Sequence, residues 1–236
     1  MSFLKAEWRK LVMVNYEINP EILKPYVPIG VDLDFFEDKC YISLVGFMFL
    51  NTKLLGIRVP FHVNFEEVNL RFYVKKTLKN EVKRGVVFIK EIVPKPAITF
   101  IANTVYNENY VTLPMKHNWK ISNDSVEVEY QWKKNNKWNS ISIQAENMLK
   151  KIQQNSAVEF IAEHYWGYSK RNNKETTEYE VKHPIWQYYP IKKHTIKVDF
   201  KSNYGDEFEF LNKANPNSIF LLEGSEVLVK NKMALK

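Results

Sequence analysis

Residues 65 to 76 read FEEVNLRFYVKK, and within them Val68, Leu70, Phe72 and Val74 alternate with Glu67, Asn69, Arg71 and Tyr73. A period of two puts these sets on opposite faces of a β-strand and does not fit the single apolar stripe of a helix. One face is wholly apolar, while the other lines up a carboxylate, an amide, a guanidinium and a phenol. If the polar face looks into an enclosed interior, Arg71 and Glu67 are desolvated there and can hold a small polar ligand between them. A solvent-facing strand side has the same spacing, so alternation leaves the direction of this face open.

Much of the chain follows the same mould. Residues 40 to 50, CYISLVGFMFL, are apolar at both parities, as in a strand covered on both sides. A turn-like TLKNE joins the 65–76 segment to RGVVFIKEIVP, which predicts a hairpin, and VEVEYQW and KWNSISIQA around Asn135-Asn136 predict a second. In the first hairpin the register decides the chemistry. Glu67 opposite Glu91 gathers two carboxylates on one face, whereas Glu67 opposite Lys90 makes a salt bridge. EYEVKHPIW, HTIKVDF, FEFL and SIFLLEGSEVLVK add further strand-like segments.

Helices are few and short. Asn19 with Pro20 marks one start, closed off by Pro25 and Pro28, and Ser156 with Glu159 has capping-box spacing for a helix from Ala157 to about His164. No repeat, linker or change of composition divides residues 1–236, which read as a single domain. The fold class is mainly β (α+β): a curled sheet or closed barrel with small helices attached.

The chain carries a formal charge of +7, but its basic pairs are scattered from Lys75-Lys76 to Lys192-Lys193 and form no stripe, so nucleic acid is not an expected partner. No apolar run reaches the length of a signal segment or a membrane span, and no membrane partner is expected. Cys40 is the single cysteine, which excludes a disulfide framework and, with this lack of leader, makes the cytoplasm the expected compartment. The five histidines show neither HxH nor HExxH spacing, so no metal site is expected. No GxSxG, Walker or GxGxxG motif occurs, and no cofactor is expected. His164 and His183 each lie close to a tryptophan, Trp166 and Trp186; such a pair suits a buried, hydrogen-bonded structural histidine at least as well as a catalytic base, and a pocket wall satisfies both.

The segments YISLVGFMFLNTKLLGIRVPFHVNFEEVNLRFYV, RGVVFIKEIVPKPAI, EHYWGY and VKHPIW, with the early NYEINPEILKPYVPIGVDLD, resemble the corresponding blocks of the YqjF-like proteins. These are a large bacterial family of unknown function, similar to the acetoacetate decarboxylase-like superfamily, and the likeness spans nearly the whole chain. It implies an acetoacetate decarboxylase-like β-sheet curled around a central cavity. It also implies self-association as a homo-oligomer.

In acetoacetate decarboxylase a lysine forms a Schiff base with the substrate ketone, a second lysine beside it lowers its pKa, and a glutamate lines the pocket. Lys95, in Val93-Pro94-Lys95-Pro96, falls on the Schiff-base position, and Glu67 falls near the pocket glutamate. Pro96 stands where the second lysine would be, which removes the neighbouring cation that would make Lys95 nucleophilic.

Three functions follow as expectations. The first is a protein that binds a small polar or carboxylate-bearing molecule, with Arg71 as clamp, Asn69 and Lys90 beside it, and Tyr73, Tyr106, Tyr165 and Trp166, with His164 and His183, as walls. The second is a decarboxylase-type lyase acting on a keto acid through Lys95, with Glu67 or Glu91 moving the proton. The third is a non-catalytic structural or interaction module with a filled core.

Overall fold

The computed structural model describes residues 2–172 and 174–235. Seven long strands close into a barrel. Their order around the wall is Ser218–Lys230, Ser2–Glu17, Lys39–Leu54, Phe65–Thr77, Val82–Val93, Trp166–Lys170 and Thr176–Lys182. Closure comes where Val181 and Lys182 pair with Val229 and Leu228 of the first. Neighbours are antiparallel except at one seam, where Trp166 and Gly167 run parallel to Gly85 and Val86.

At that seam the chain leaves Val93, forms the helix Pro96–Ile101 and the turn Ala102–Tyr106, and returns as the short strand Tyr110–Thr112. Tyr110, Val111 and Thr112 pair in parallel with Glu91, Ile92 and Val93, so this excursion completes the wall where Trp166–Lys170 does not reach.

A separate four-stranded sheet, in the order Ile191–Lys197, Lys137–Glu146, Ser125–Lys134 and Met115–Ile121, packs on the outside of the barrel. Its hairpin turns at Asn135 and Asn136, both with positive φ (48° and 60°), as the sequence predicts for a two-residue turn. The close approach of the two layers is visible at Gly46. A Cβ there would meet Ile141 at 2.6 Å and Tyr130 at 2.9 Å.

Two cores result. Val68, Leu70, Phe72 and Val74 join Val126, Val128, Tyr130 and Trp132 between barrel and outer sheet. Leu11, Met13, Phe47, Phe49, Phe65 and Tyr73 belong to the second, inside the barrel. Each fully buried aliphatic or aromatic side chain contributes roughly 1.5–3 kcal/mol relative to exposure, so covering the outer face is what turns a half-buried strand into a two-sided wall.

The helix capped by Asn19 spans Pro20–Leu23, and that capped by Ser156 spans Ala157–Ala162, ending two residues before His164. FEFL is a correction. It lies within the 3₁₀ segment Asp206–Asn212, where Phe208 and Leu211 are buried at the three-residue spacing of that helix. HTIKVDF is strand only as far as Lys197, and Phe200 opens the helix Phe200–Tyr204.

Candidate functional site

The barrel encloses a cavity of about 160 Å³. An engineered cavity of about this size in another protein holds benzene, so the scale is that of a small organic molecule. The register shows how the side chains are layered. Phe65 lies opposite Phe49 and their rings stack at 4.6 Å, and Trp8 lies opposite Phe49 on the other side. One step further in, Glu67 lies opposite Phe47, then Asn69 between Val45 and Glu91, then Arg71 opposite Ser43. The polar face of the 65–77 strand therefore points into the barrel. Glu67, Asn69 and Arg71 are 2%, 1% and 9% exposed, and all three line the cavity.

Three carboxyls meet this chamber. Asn69 Nδ2 donates to Glu67 Oε1 at 2.9 Å and the Tyr110 hydroxyl donates to Oε2 at 2.9 Å. Burial pushes the Glu67 carboxyl well above the usual range, although both donors and the Arg71 charge pull it back. Glu91 is pushed further by burial and by the carboxyls of Glu108 and Glu67, and its Oε2 is buried without a partner. Glu108 comes from the loop after Tyr106 and accepts from the Tyr179 hydroxyl at 2.9 Å; burial raises it as well. Ionising all three together is unfavourable, and the cluster holds protons above the pH where exposed glutamates lose them.

Arg71 cannot respond in the same way, because a guanidinium keeps its charge at any pH a protein meets. Its Nη2 reaches the Ile161 carbonyl at 3.5 Å, its Nε is buried without a partner, and among the described residues it forms no ion pair. The ring of Tyr73 lies 5.8 Å from its Cζ. The chamber thus combines a fixed positive charge with acids that can be neutral.

On the Arg71 side stands His164, its ring 4.7 Å from Tyr73 and 5.2 Å from Phe160. Its Nε2 is 3.5 Å from Asp34 Oδ2, to which Arg84 Nε donates at 2.7 Å. Burial lowers His164 to about 4 against the pull of Asp34, so the imidazole is neutral at pH 7. Burial works against the Asp34 carboxylate, but the nearby His164 and the bond and charge of Arg84 outweigh it and bring Asp34 down to about 2. Among the described residues no group of three His, Cys, Asp or Glu side chains is arranged to hold a metal ion.

A family model described as an uncharacterized conserved protein (COG2071), DUF2071, matches residues 5–226. The chain belongs to this family. In structure it is similar to the acetoacetate decarboxylase of Legionella pneumophila, with TM-score 0.64 and 9% identity over 99% of this chain and 87% of that one. It is also similar to the enduracididine biosynthesis enzyme MppR complexed with pyruvate, with TM-score 0.68 and 10% identity over 100% and 91%. A third similar structure is an acetoacetate decarboxylase-like enzyme from Sphingomonas wittichii RW1, with TM-score 0.64 and 9% identity over 100% and 94%. The fold is acetoacetate decarboxylase-like, as the resemblance implies. No curated protein sequence matches the chain.

Of the residues singled out in the sequence, Glu67, Asn69, Arg71, Glu91, Tyr106, His164 and Trp166 line the cavity of this DUF2071 protein. Tyr73 shares the inward face but is fully buried, its hydroxyl 2.6 Å from Ser43 Oγ. Four expectations need correction. Lys90 points away from the chamber and donates to the Asn203 carbonyl, because a bulge at Ile89 shifts the alternation between Phe88 and Glu91 and leaves Ile89 and Lys90 outward. Lys95 is the half-buried residue that opens the helix Pro96–Ile101, with its charge near Glu66, and does not line the cavity. Tyr165 and His183 also stand outside it, stacked at 4.7 Å, with Trp186 stacked on the other side of His183 at 4.0 Å. Neither pairing considered for Glu67 occurs: Asn69 is the residue opposite Glu91, and the two carboxylates are diagonal neighbours on one face.

Sequence reasoning missed Glu108, Tyr110 and Tyr179. Tyr179 has a visible signal, since it alternates with Glu178 and Glu180 in a strand-like run. Glu108 has none, because its direction depends on Asn107 in the left-handed region (φ 60°) and on Asn109 Nδ2 donating to the Ile89 carbonyl at 2.7 Å. Cys40 is buried, which pushes its thiol up to about 11 and leaves it unreactive. Among the described residues no helix is long and apolar enough to cross a membrane.

Proposed function

We propose that this protein binds a small carboxylate-bearing molecule inside the barrel, with Arg71 as the anion clamp. The observation that carries this reading is the state of Arg71, a buried, permanently charged guanidinium that faces the cavity with its Nε unpartnered and no ion pair. A lone buried charge is costly, and a ligand carboxylate offsets that cost through charge-assisted bonds of the strongest kind available to arginine. Asn69 Oδ1, also buried without a partner, can accept from a hydroxyl or amide of the same molecule. Protonated Glu67, Glu91 and Glu108 do not repel an anion and can donate to a carbonyl oxygen. The similar fold of MppR holds pyruvate, a molecule of this class.

The imine reading finds no support in this geometry. Among the described residues no lysine lines the cavity, and a Schiff base needs an amine within bonding reach of the ketone.

The test is calorimetry with acetate, pyruvate and acetoacetate on the wild type and on Arg71→Met. Saturable binding that falls at least tenfold in the variant is expected, with no borohydride-trapped adduct by intact mass. Equal binding in both proteins, or binding of none of the three and of no larger acid, removes Arg71 from the role.

A further inference from the structure

The polar groups of the chamber are concentrated at one end, with Thr52 and His62 the polar residues that line it near the entrance. Arg71, Asn69 and the carboxyls occupy the inner layers, while the layer above them is the Phe65–Phe49 stack with Trp8. Beyond it Leu4 lies opposite Leu54, and Val59 lines the entrance together with Ala97, Ile98 and Ile101 of the excursion helix. The loop that carries Val59 also presents Leu55, Ile57 and Phe61, which are 62%, 68% and 88% exposed. Arg71 lies six residue steps along the strand from Phe65, about 20 Å at 3.3 Å per residue. A two- or three-carbon acid seated on Arg71 touches little of this apolar length.

Resting on the anion-binding reading above, we propose that the preferred ligand is an amphipathic monocarboxylate. Its carboxylate sits at Arg71, and an apolar chain or ring extends past Phe47 to the Phe49–Phe65 layer and toward Leu4, Leu54 and Val59 at the entrance. Two features of the inner layer fit the passage of such a chain. Both oxygens of Glu67 accept hydrogen bonds, from Asn69 and Tyr110, and one oxygen of Glu108 accepts from Tyr179. Phe47 lies beside Glu67 on the neighbouring strand and lines the cavity with Leu11, Phe49 and Phe88, so the tail meets apolar side chains above the polar layer.

The experiment is a calorimetric titration with straight-chain carboxylates from acetate to decanoate, with pyruvate and hexylamine alongside. Each added methylene is expected to tighten binding about fourfold until the chain reaches the entrance, where the gain stops. Arg71→Met is expected to weaken hexanoate at least tenfold. Ala97→Trp, at an exposed helix position on the entrance, is expected to diminish the gain for the longest chains and to leave butanoate unchanged. Pyruvate and hexanoate binding within twofold of each other overturns the apolar tail and leaves the anion-binding reading standing. So does a chain-length gain that persists undiminished in Ala97→Trp. Hexylamine binding more tightly than hexanoate, or hexanoate unaffected by Arg71→Met, overturns both.

Discussion

The Tyr110 hydroxyl donates to Glu67 Oε2 across 2.9 Å inside the barrel. This bond joins the returning strand of the excursion to the polar face of the wall and supplies one of the two donors that the buried Glu67 carboxyl has among the described residues. Tyr110→Phe removes it without altering the ring. Leaving a buried acceptor unsatisfied costs about 1–3 kcal/mol. Urea unfolding should show a loss in that range, and a change below about 0.5 kcal/mol would mean that Glu67 finds a replacement donor.

Arg71→Met is expected to keep or raise stability, because it replaces an unpaired buried cation by an apolar chain of similar length. The same variant is expected to lose the rise in melting temperature that a carboxylate ligand produces. Thermal denaturation with and without hexanoate separates the two effects. A variant several degrees less stable in the absence of ligand would assign Arg71 to the scaffold.

Glu91 lies well above its ordinary value of 4.5, first through burial and then through the neighbouring carboxyls. A carboxyl that holds its proton more tightly when folded contributes stability that is complete below the unfolded value and is lost as pH rises toward the folded one. Unfolding free energy is therefore expected to decline as pH rises above the unfolded value of 4.5, by up to about 1.4 kcal/mol per pH unit for one such group. Glu91→Gln should flatten part of that decline. Identical slopes in both proteins, measured by urea titration across the range, would contradict a protonated Glu91.

His164 works in the opposite direction. Burial lowers it from 6.5 to about 4, so its contribution is present above the unfolded value and is lost as pH falls toward the folded one. His164→Gln should remove a drop in stability between about pH 6.5 and pH 4 while sparing the alkaline limb. An imidazole that titrates near 6.5 by NMR would show that solvent reaches it.

Gly167 is a packing prediction. A Cβ at this position would come within 2.2 Å of the Tyr179 ring, which is held by its bond to Glu108 and by Tyr106 at 5.2 Å. Gly167→Ala is expected to cost about 1–3 kcal/mol through overpacking and to weaken carboxylate binding by displacing Tyr179. Full stability with unchanged binding would show that the ring moves freely.

The alternation over residues 65–76 made the strand and its two faces legible, but it could not tell which face looks inward. Both are buried here, since Val68, Leu70 and Phe72 are covered by a sheet formed some sixty residues later, and local spacing carries no trace of that partner. Lys90 went astray for a different reason. The irregularity between Leu70↔Lys90 and Arg71↔Phe88 shifts parity by one, so Glu91, Phe88 and Val86 face the cavity although strict alternation separates Glu91 from the other two. His183 was readable as one of two alternatives, and its place between Tyr165 and Trp186 is the structural one. Glu108 was beyond reach because a loop, with no periodicity of its own, delivers it.

The excursion between Val93 and Tyr110 carries both the helix at the entrance and the loop that supplies Glu108. Doorway and one of the chamber's acids thus belong to a single stretch of chain that joins the barrel's strand ladder only at its two ends. Substitutions or length changes there can retune what enters and how it is received in one step, while the remaining strands keep their register.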